Sequence, residues 1–122
     1  AGLKTGIATF APFANMELIA GKLDLFPHLE SALGSEQVSK HKPDPEVYLK
    51  SAGNLSLSPD RCLVFEDSLT GMSAATASGA YLIAVPHMVK IEESAKVRVF
   101  SSLEQMSFAT LTMLFRDFSS TI

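Results

Sequence analysis

The sequence contains no tryptophan and a single cysteine, Cys62. One thiol excludes an internal disulfide framework and suits a reducing, cytoplasmic setting. No apolar run reaches transmembrane length and no signal peptide is visible, so no membrane partner is expected. Excess positive charge is missing too: 10 Lys and Arg stand against 13 Asp and Glu, a net charge of −3, with no basic cluster. That balance excludes a nucleic-acid surface. Repeats, low-complexity tracts and linkers are absent, and 122 residues are read as one domain, residues 1–122, at most. What is present is a hydrophobic content of 47% against 19% charged residues, enough for a globular core.

The chain is organised around residues 62–79, CLVFEDSLTGMSAATASG. Cys62, Leu63, Val64 and Phe65 run without alternation, as a strand covered on both faces would, and Cys62 is read as core rather than as a nucleophile. The run stops at two adjacent carboxylates, Glu66 and Asp67. A Ser/Thr-containing turn follows, then a helix rich in small residues that closes at Gly79, a residue suited to the C′ position. In an open α/β sheet, ligands bind at the carboxyl ends of strands. Acids placed there suit Mg2+, which takes one or two carboxylates and leaves positions for phosphate oxygens. The same pair would also serve to cap the helix or lie in a solvated loop. The other stretches of the chain decide between these.

Residues 3–9 read as a short strand leading to Thr9, and Pro12 suits the first turn of a helix in which Met16, Ile19, Ala20 and Leu23 keep helical spacing through Leu25. A hydroxyl at a strand end, followed by the free N–H groups of a helix start, is a phosphate-binding arrangement. Thr is also simply a good strand residue. Residues 31–33 fit a short edge strand. In the run 40–46, KHKPDPE, Asp44 is expected as N-cap, Pro45 as first helical residue, and Glu46 as complement to the positive helix end. Val47, Tyr48, Leu49 and Ala52 supply apolar contacts, and Gly53-Asn54 ends the helix. Lys42, confined to extended geometry by Pro43, is placed to act as a point charge on phosphate or carboxylate, while His41 is read as a loop residue.

Residues 81–85 form a second continuous apolar strand and complete a βαβ unit, with His87 near its carboxyl end. Residues 97–100 fit a last short strand. Ser101-Ser102-Leu103-Glu104 fits a capping box that opens a helix packing through Leu103, Met106, Leu111, Leu114 and Phe115.

In order, these segments are a strand ending in Thr9, a Lys42-Pro43-x-Pro45 helix start, and an apolar strand followed by Glu66-Asp67-x₃-Gly71. The chain thereby resembles the haloacid dehalogenase-like phosphohydrolases, in the branch of β-phosphoglucomutase and small sugar-phosphate or nucleotide phosphatases. The segments that carry the resemblance are GIATFAP, KHKPDPEVYLKSA and CLVFEDSLTGMSAATASGAYLIAVP, and it spans roughly residues 2–115. The resemblance implies a Rossmann-like, three-layer α/β core with a mostly parallel sheet. It further implies that the Thr9 hydroxyl and the Phe10 N–H hold the transferring phosphoryl group. Lys42 would neutralise phosphate and nucleophile, Asp67 would bind Mg2+, and Glu66 would be a second or water-mediated ligand. Phe10 departs from the small or polar residue usual there, though only its N–H is needed. Phosphoryl transfer depends mainly on such positioning and charge neutralisation.

The family's nucleophile and acid/base lie in an Asp-x-Asp at the end of a first, central strand, and no Asp-x-Asp occurs here. The cap domain that selects substrate would also precede Thr9. The chain therefore looks like a carboxyl-terminal part of something longer, or one that needs an N-terminal segment or second chain to complete its sheet. The expected parent activity is Mg2+-dependent hydrolysis of a small phosphorylated metabolite, with a sugar-phosphate mutase or a non-catalytic interaction domain as alternatives, and this chain alone inactive. A signalling receiver module needs its acidic pair and phosphoacceptor before the Thr and Lys, and the order Thr9, Lys42, Asp67 does not fit it.

Overall fold

The structure, a computed structural model, describes residues 4–9, 14, 29–85, 90–102 and 107–119. Phe10, His87, the expected helix of residues 12–25 except Ala14, and the Leu103-Glu104 half of the capping box lie outside the described residues.

Among the described residues, five short strands and three α-helices follow one another: β1 Gly6–Ala8, β2 Ser31–Leu33, α1 Glu46–Asn54, β3 Leu63–Glu66, α2 Leu69–Ser78, β4 Tyr81–Ala84, β5 Val97–Val99 and α3 Phe108–Ser119. All the named strand pairs are parallel. β1 pairs with β2, Ala8 opposite Leu33; β3, β4 and β5 form a second sheet in that order, with Glu66 opposite Ala84. The α/β, Rossmann-like reading is therefore realised, with α2 as the crossover between the parallel strands β3 and β4.

β4 explains why the sheet is layered on both sides. All four of its residues are buried. Leu82 and Ala84 pack with Val47 and Tyr48 of α1 and with Met72, Ala74 and Ala75 of α2, and Leu33 of β2 joins the same cluster. Tyr81 and Ile83, on the opposite face, meet Leu114 of α3. Ala74 and Ala75 are fully buried, so the small residues of α2 let its backbone approach the sheet closely. Gly79 ends α2 at φ 89°, a left-handed conformation that disfavours any residue with a Cβ.

Several local expectations are corrected. Cys62–Phe65 was expected to be covered on both faces, but the strand is Leu63–Glu66 and Phe65 is 40% exposed. The cause is that β3 ends its sheet: its free side faces β1 across an apolar cleft of about 460 Å³ instead of another strand. Cys62 lines that cleft, half-buried, and burial with the nearby Asp60 charge pushes its thiol pKa up, which favours the protonated, unreactive form. Pro45, not Asp44, is the N-cap of α1; Asp44 instead accepts the Glu46 N–H at 3.0 Å through its Oδ1. The Asp side chain thus mimics a backbone turn one residue before the helix begins. Leu49 is 47% exposed rather than a packing residue, because it lies on the outer face of α1. α3 opens after Ser107, whose hydroxyl accepts the Thr110 N–H at 3.1 Å.

Ile83→Ala is expected to lower unfolding free energy by about 2–5 kcal/mol, since Ile83 is the largest fully buried side chain. Leu49→Ala should stay within about 0.5 kcal/mol. Urea titrations giving equal losses for the two would refute this placement of the core.

Candidate active site

The functional side chains gather where β1 and β3 end. Thr9 directly follows β1, and its N–H donates to the Leu33 carbonyl at 3.0 Å, so pairing with β2 fixes the strand end. Asp67 directly follows β3 and is exposed, one residue before Ser68 caps α2. The Ser68 hydroxyl accepts the Gly71 N–H at 3.1 Å, which orients the helix start toward the same end of the sheet.

Lys42 arrives from a separate segment. It lies in a turn whose Lys42–Pro43 peptide is cis, rather than in the extended segment expected from Pro43. The loop before α1 is tied down by Glu46, whose carboxylate accepts the Ser39 N–H at 2.6 Å and the Lys40 N–H at 3.2 Å. His41 is an exposed loop residue, as expected, with Nε2 at 2.7 Å from the Ser35 carbonyl oxygen.

From this loop the Lys42 ammonium reaches Glu66 Oε2 at 2.5 Å and the Ala8 carbonyl at 3.4 Å. The lysine therefore bridges the ends of two strands in different sheets. Both charged side chains are largely buried, at 10% and 8% exposure. The Tyr48 hydroxyl donates to the same Oε2, and Lys42 Nζ lies 5.1 Å from the Tyr48 ring centre. Burial, then the hydrogen bond and charge of Glu66, raise the Tyr48 pKa far above the ordinary phenol range, so the hydroxyl stays a donor. Ser68 Oγ approaches Glu66 Oε1 at 3.4 Å, and a Cβ at Gly71 would overlap the Glu66 carboxylate. Gly71 is required here because the carboxylate occupies the space a side chain would need.

Of the sequence-predicted residues, the structure brings together Thr9, Lys42, Glu66 and Asp67 at one end of the sheets. The two carboxylates do not share an environment: Glu66 is buried against Lys42 and Tyr48, while Asp67 is exposed. Tyr48 and the space at Gly71 were missed as parts of the site. A tyrosine among the apolar positions of a helix was the available signal, because a buried hydroxyl needs a partner.

Among the described residues, no group of three or more His, Cys, Asp or Glu side chains converges on a metal position. Asp67 nonetheless fits Mg2+, which accepts one carboxylate and completes its octahedron with water and phosphate oxygens. Glu66 fits less well, since both donors on Oε2 would compete with a cation.

A parallel α/β fold, with a lysine and a carboxylate converging where strands end and a helix begins, places charged groups where ligands bind in this class of fold. Comparison with known proteins makes this specific. The sequence profile of the haloacid dehalogenase-like hydrolases matches residues 1–79, and the chain belongs to that family. YhcW of Bacillus subtilis is 38% identical over 88 residues, 72% of this chain and 40% of that protein. Hexitol phosphatase B of Escherichia coli is 34% identical over 85 residues, 70% of this chain and 38% of that enzyme. Crystalline CbbY of Rhodobacter sphaeroides, in complex with phosphate, superposes with a TM-score of 0.78 at 26% identity, covering 91% of this chain and 52% of that one. The chain thus spans about two-fifths of the length of the curated relatives it matches.

The Glu46 carboxyl pKa is lowered, chiefly by the Ser39 N–H; burial opposes this, and the Lys40 N–H and Lys50 add to the lowering. A lowered folded-state pKa means that these contacts stabilise the fold above the ordinary glutamate value of 4.5 and are lost as pH falls through the lower folded value. The Ser39 and Lys40 amide resonances are expected to titrate below that ordinary value in an NMR pH series. Titration at or above it would rule out the clamp on the Lys42 loop.

Proposed function

We propose that this chain supplies the phosphate- and metal-binding half of a magnesium-dependent phosphatase acting on a small phosphorylated sugar or related metabolite. The observation that carries the reading is the position of Lys42, between the ends of β1 and β3 and beside Thr9 and Asp67. Supporting it, hexitol phosphatase B is named for a phosphatase activity, and CbbY has been crystallised in complex with phosphate.

In this mechanism the Thr9 hydroxyl, with the Phe10 N–H, holds phosphoryl oxygens by hydrogen bonds. The Lys42 ammonium balances the charge that gathers on those oxygens and on an attacking carboxylate. Asp67 is the protein ligand for Mg2+, which when bound would supply further charge neutralisation to the phosphate. Glu66 acts chiefly on Lys42. The sequence holds no Asp-x-Asp, so the nucleophile must come from elsewhere. The cleft between β1 and β3, lined by Ile7, Ala8, Val64 and Phe65 among others, suits an extended apolar segment. An N-terminal segment of the same polypeptide, or a second chain, would fill it and deliver the nucleophile. The lone cysteine supports a reducing, cytoplasmic setting. Among the described residues no helix is long and apolar enough to cross a membrane.

The test uses a protein in which this chain is joined to a preceding segment carrying the strand and Asp-x-Asp. Release of inorganic phosphate from a sugar phosphate should require Mg2+, and Lys42→Met and Asp67→Asn should each lower kcat/KM by roughly a hundredfold or more. Losses below about tenfold for both would overturn the assignment. Transfer within the sugar without phosphate release would instead make it a mutase. The 122-residue chain alone should show no turnover.

A further inference from the structure

We propose that the Tyr48 hydroxyl is a positioning group: by donating to Glu66 it fixes the carboxylate that holds the Lys42 ammonium at the ends of β1 and β3. Its relevance to catalysis rests on the phosphate-facing role given to Lys42 above.

A lysine is a compact charge on a flexible four-carbon stem, so its own geometry does not define where the ammonium sits. Its location is set by what receives it. Here the receiver is a single carboxylate oxygen, Glu66 Oε2, and Tyr48 donates to that same atom. The remaining sides of the carboxylate are occupied as well: Ser68 Oγ stands 3.4 Å from Oε1, and Gly71 backs the group with no room for a Cβ. The glutamate is therefore held in a socket, and the tyrosine is its rigid wall. The Tyr48 ring also packs 5.1 Å from the ammonium, a cation–π distance that favours the same lysine rotamer.

Packing alone does not account for Tyr48. Phenylalanine would fill the cluster formed by Val47, Met72 and Leu82 equally well, whereas a buried hydroxyl must find an acceptor. The acceptor is the one carboxylate that also binds the site lysine. Removing the hydroxyl leaves the hydrophobic core intact and frees Glu66 to move, and Lys42 moves with it.

The experiment measures lysine acylation of the folded 122-residue chain, residue by residue, by peptide mass spectrometry at one fixed pH. In the wild type Lys42 should react slowly and Lys50, whose side chain is 50% exposed, rapidly. Tyr48→Phe should speed Lys42 acylation roughly tenfold, as loss of one hydrogen bond to a charged group implies, and leave Lys50 and the far-UV circular dichroism unchanged. No change at Lys42, or an equal rise at both lysines, would overturn the proposal. Should Tyr48→Phe fail to fold, Gly71→Ala presses on the same carboxylate from the other side. It must then raise Lys42 reactivity selectively, and failure to do so is equally fatal.

Inorganic phosphate serves as the second probe. It should protect Lys42 in the wild type and protect it less in Tyr48→Phe. Selective exposure of Lys42 in the variant, without phosphate protection in either protein, would uphold the positioning role and sink the phosphate-site reading instead.

Discussion

A single ammonium, that of Lys42, joins the carboxyl ends of two strands that belong to different sheets. Burying that charge costs free energy unless a partner is placed to receive it. The partner, Glu66, carries the same obligation, and much of the local architecture discharges it. Tyr48 of α1 supplies a second donor, Ser68 approaches the other oxygen, and Gly71 leaves the space the carboxylate needs. Glu46 holds the loop from which Lys42 extends. The cap of α2, the orientation of α1 and the end of β3 thus meet at one ion pair. Fold and site are not separable here.

The adjacent carboxylates divide the work because of strand geometry. Successive side chains of an extended segment point to opposite faces, so Glu66 and Asp67 cannot occupy the same environment. Glu66, the last residue of β3, turns into the protein and meets the lysine. Asp67, already beyond the strand, is exposed. One step along the backbone separates an internal brace from an exposed carboxylate.

The β3–α2–β4 unit was legible in the sequence because its signals are local. The apolar runs, the helix-capping Ser68 and the left-handed Gly79 lie close together, and each acts within a few residues of itself. Thr9, Lys42 and Asp67 were legible for a different reason: the family resemblance supplied their convergence, which spacing alone does not carry. What stayed hidden was set by distant contacts. Phe65 reads as core by composition, yet it is exposed because no described strand lies beyond β3. Tyr48 reads as an apolar helix residue, since nothing in its own neighbourhood announces an acceptor that arrives from β3. Asp44 is displaced from the cap because Pro45 takes that position, and Leu49 lies off the face that buries Val47, Tyr48 and Ala52. Local chemistry was readable, and pairing across the fold was not.

The cleft beside β3 bears on the order in which such a protein assembles. Leu33, Val47, Tyr48, Met72 and Leu82 already form one cluster, so the two sheets are held apart at a set spacing by helices rather than by a strand between them. The walls of the cleft come from segments far apart in the chain, and a central strand entering it would gain ladder hydrogen bonds only after those distant walls had met. On the reading proposed above, a strand that entered the cleft would be among the last elements to lock into place.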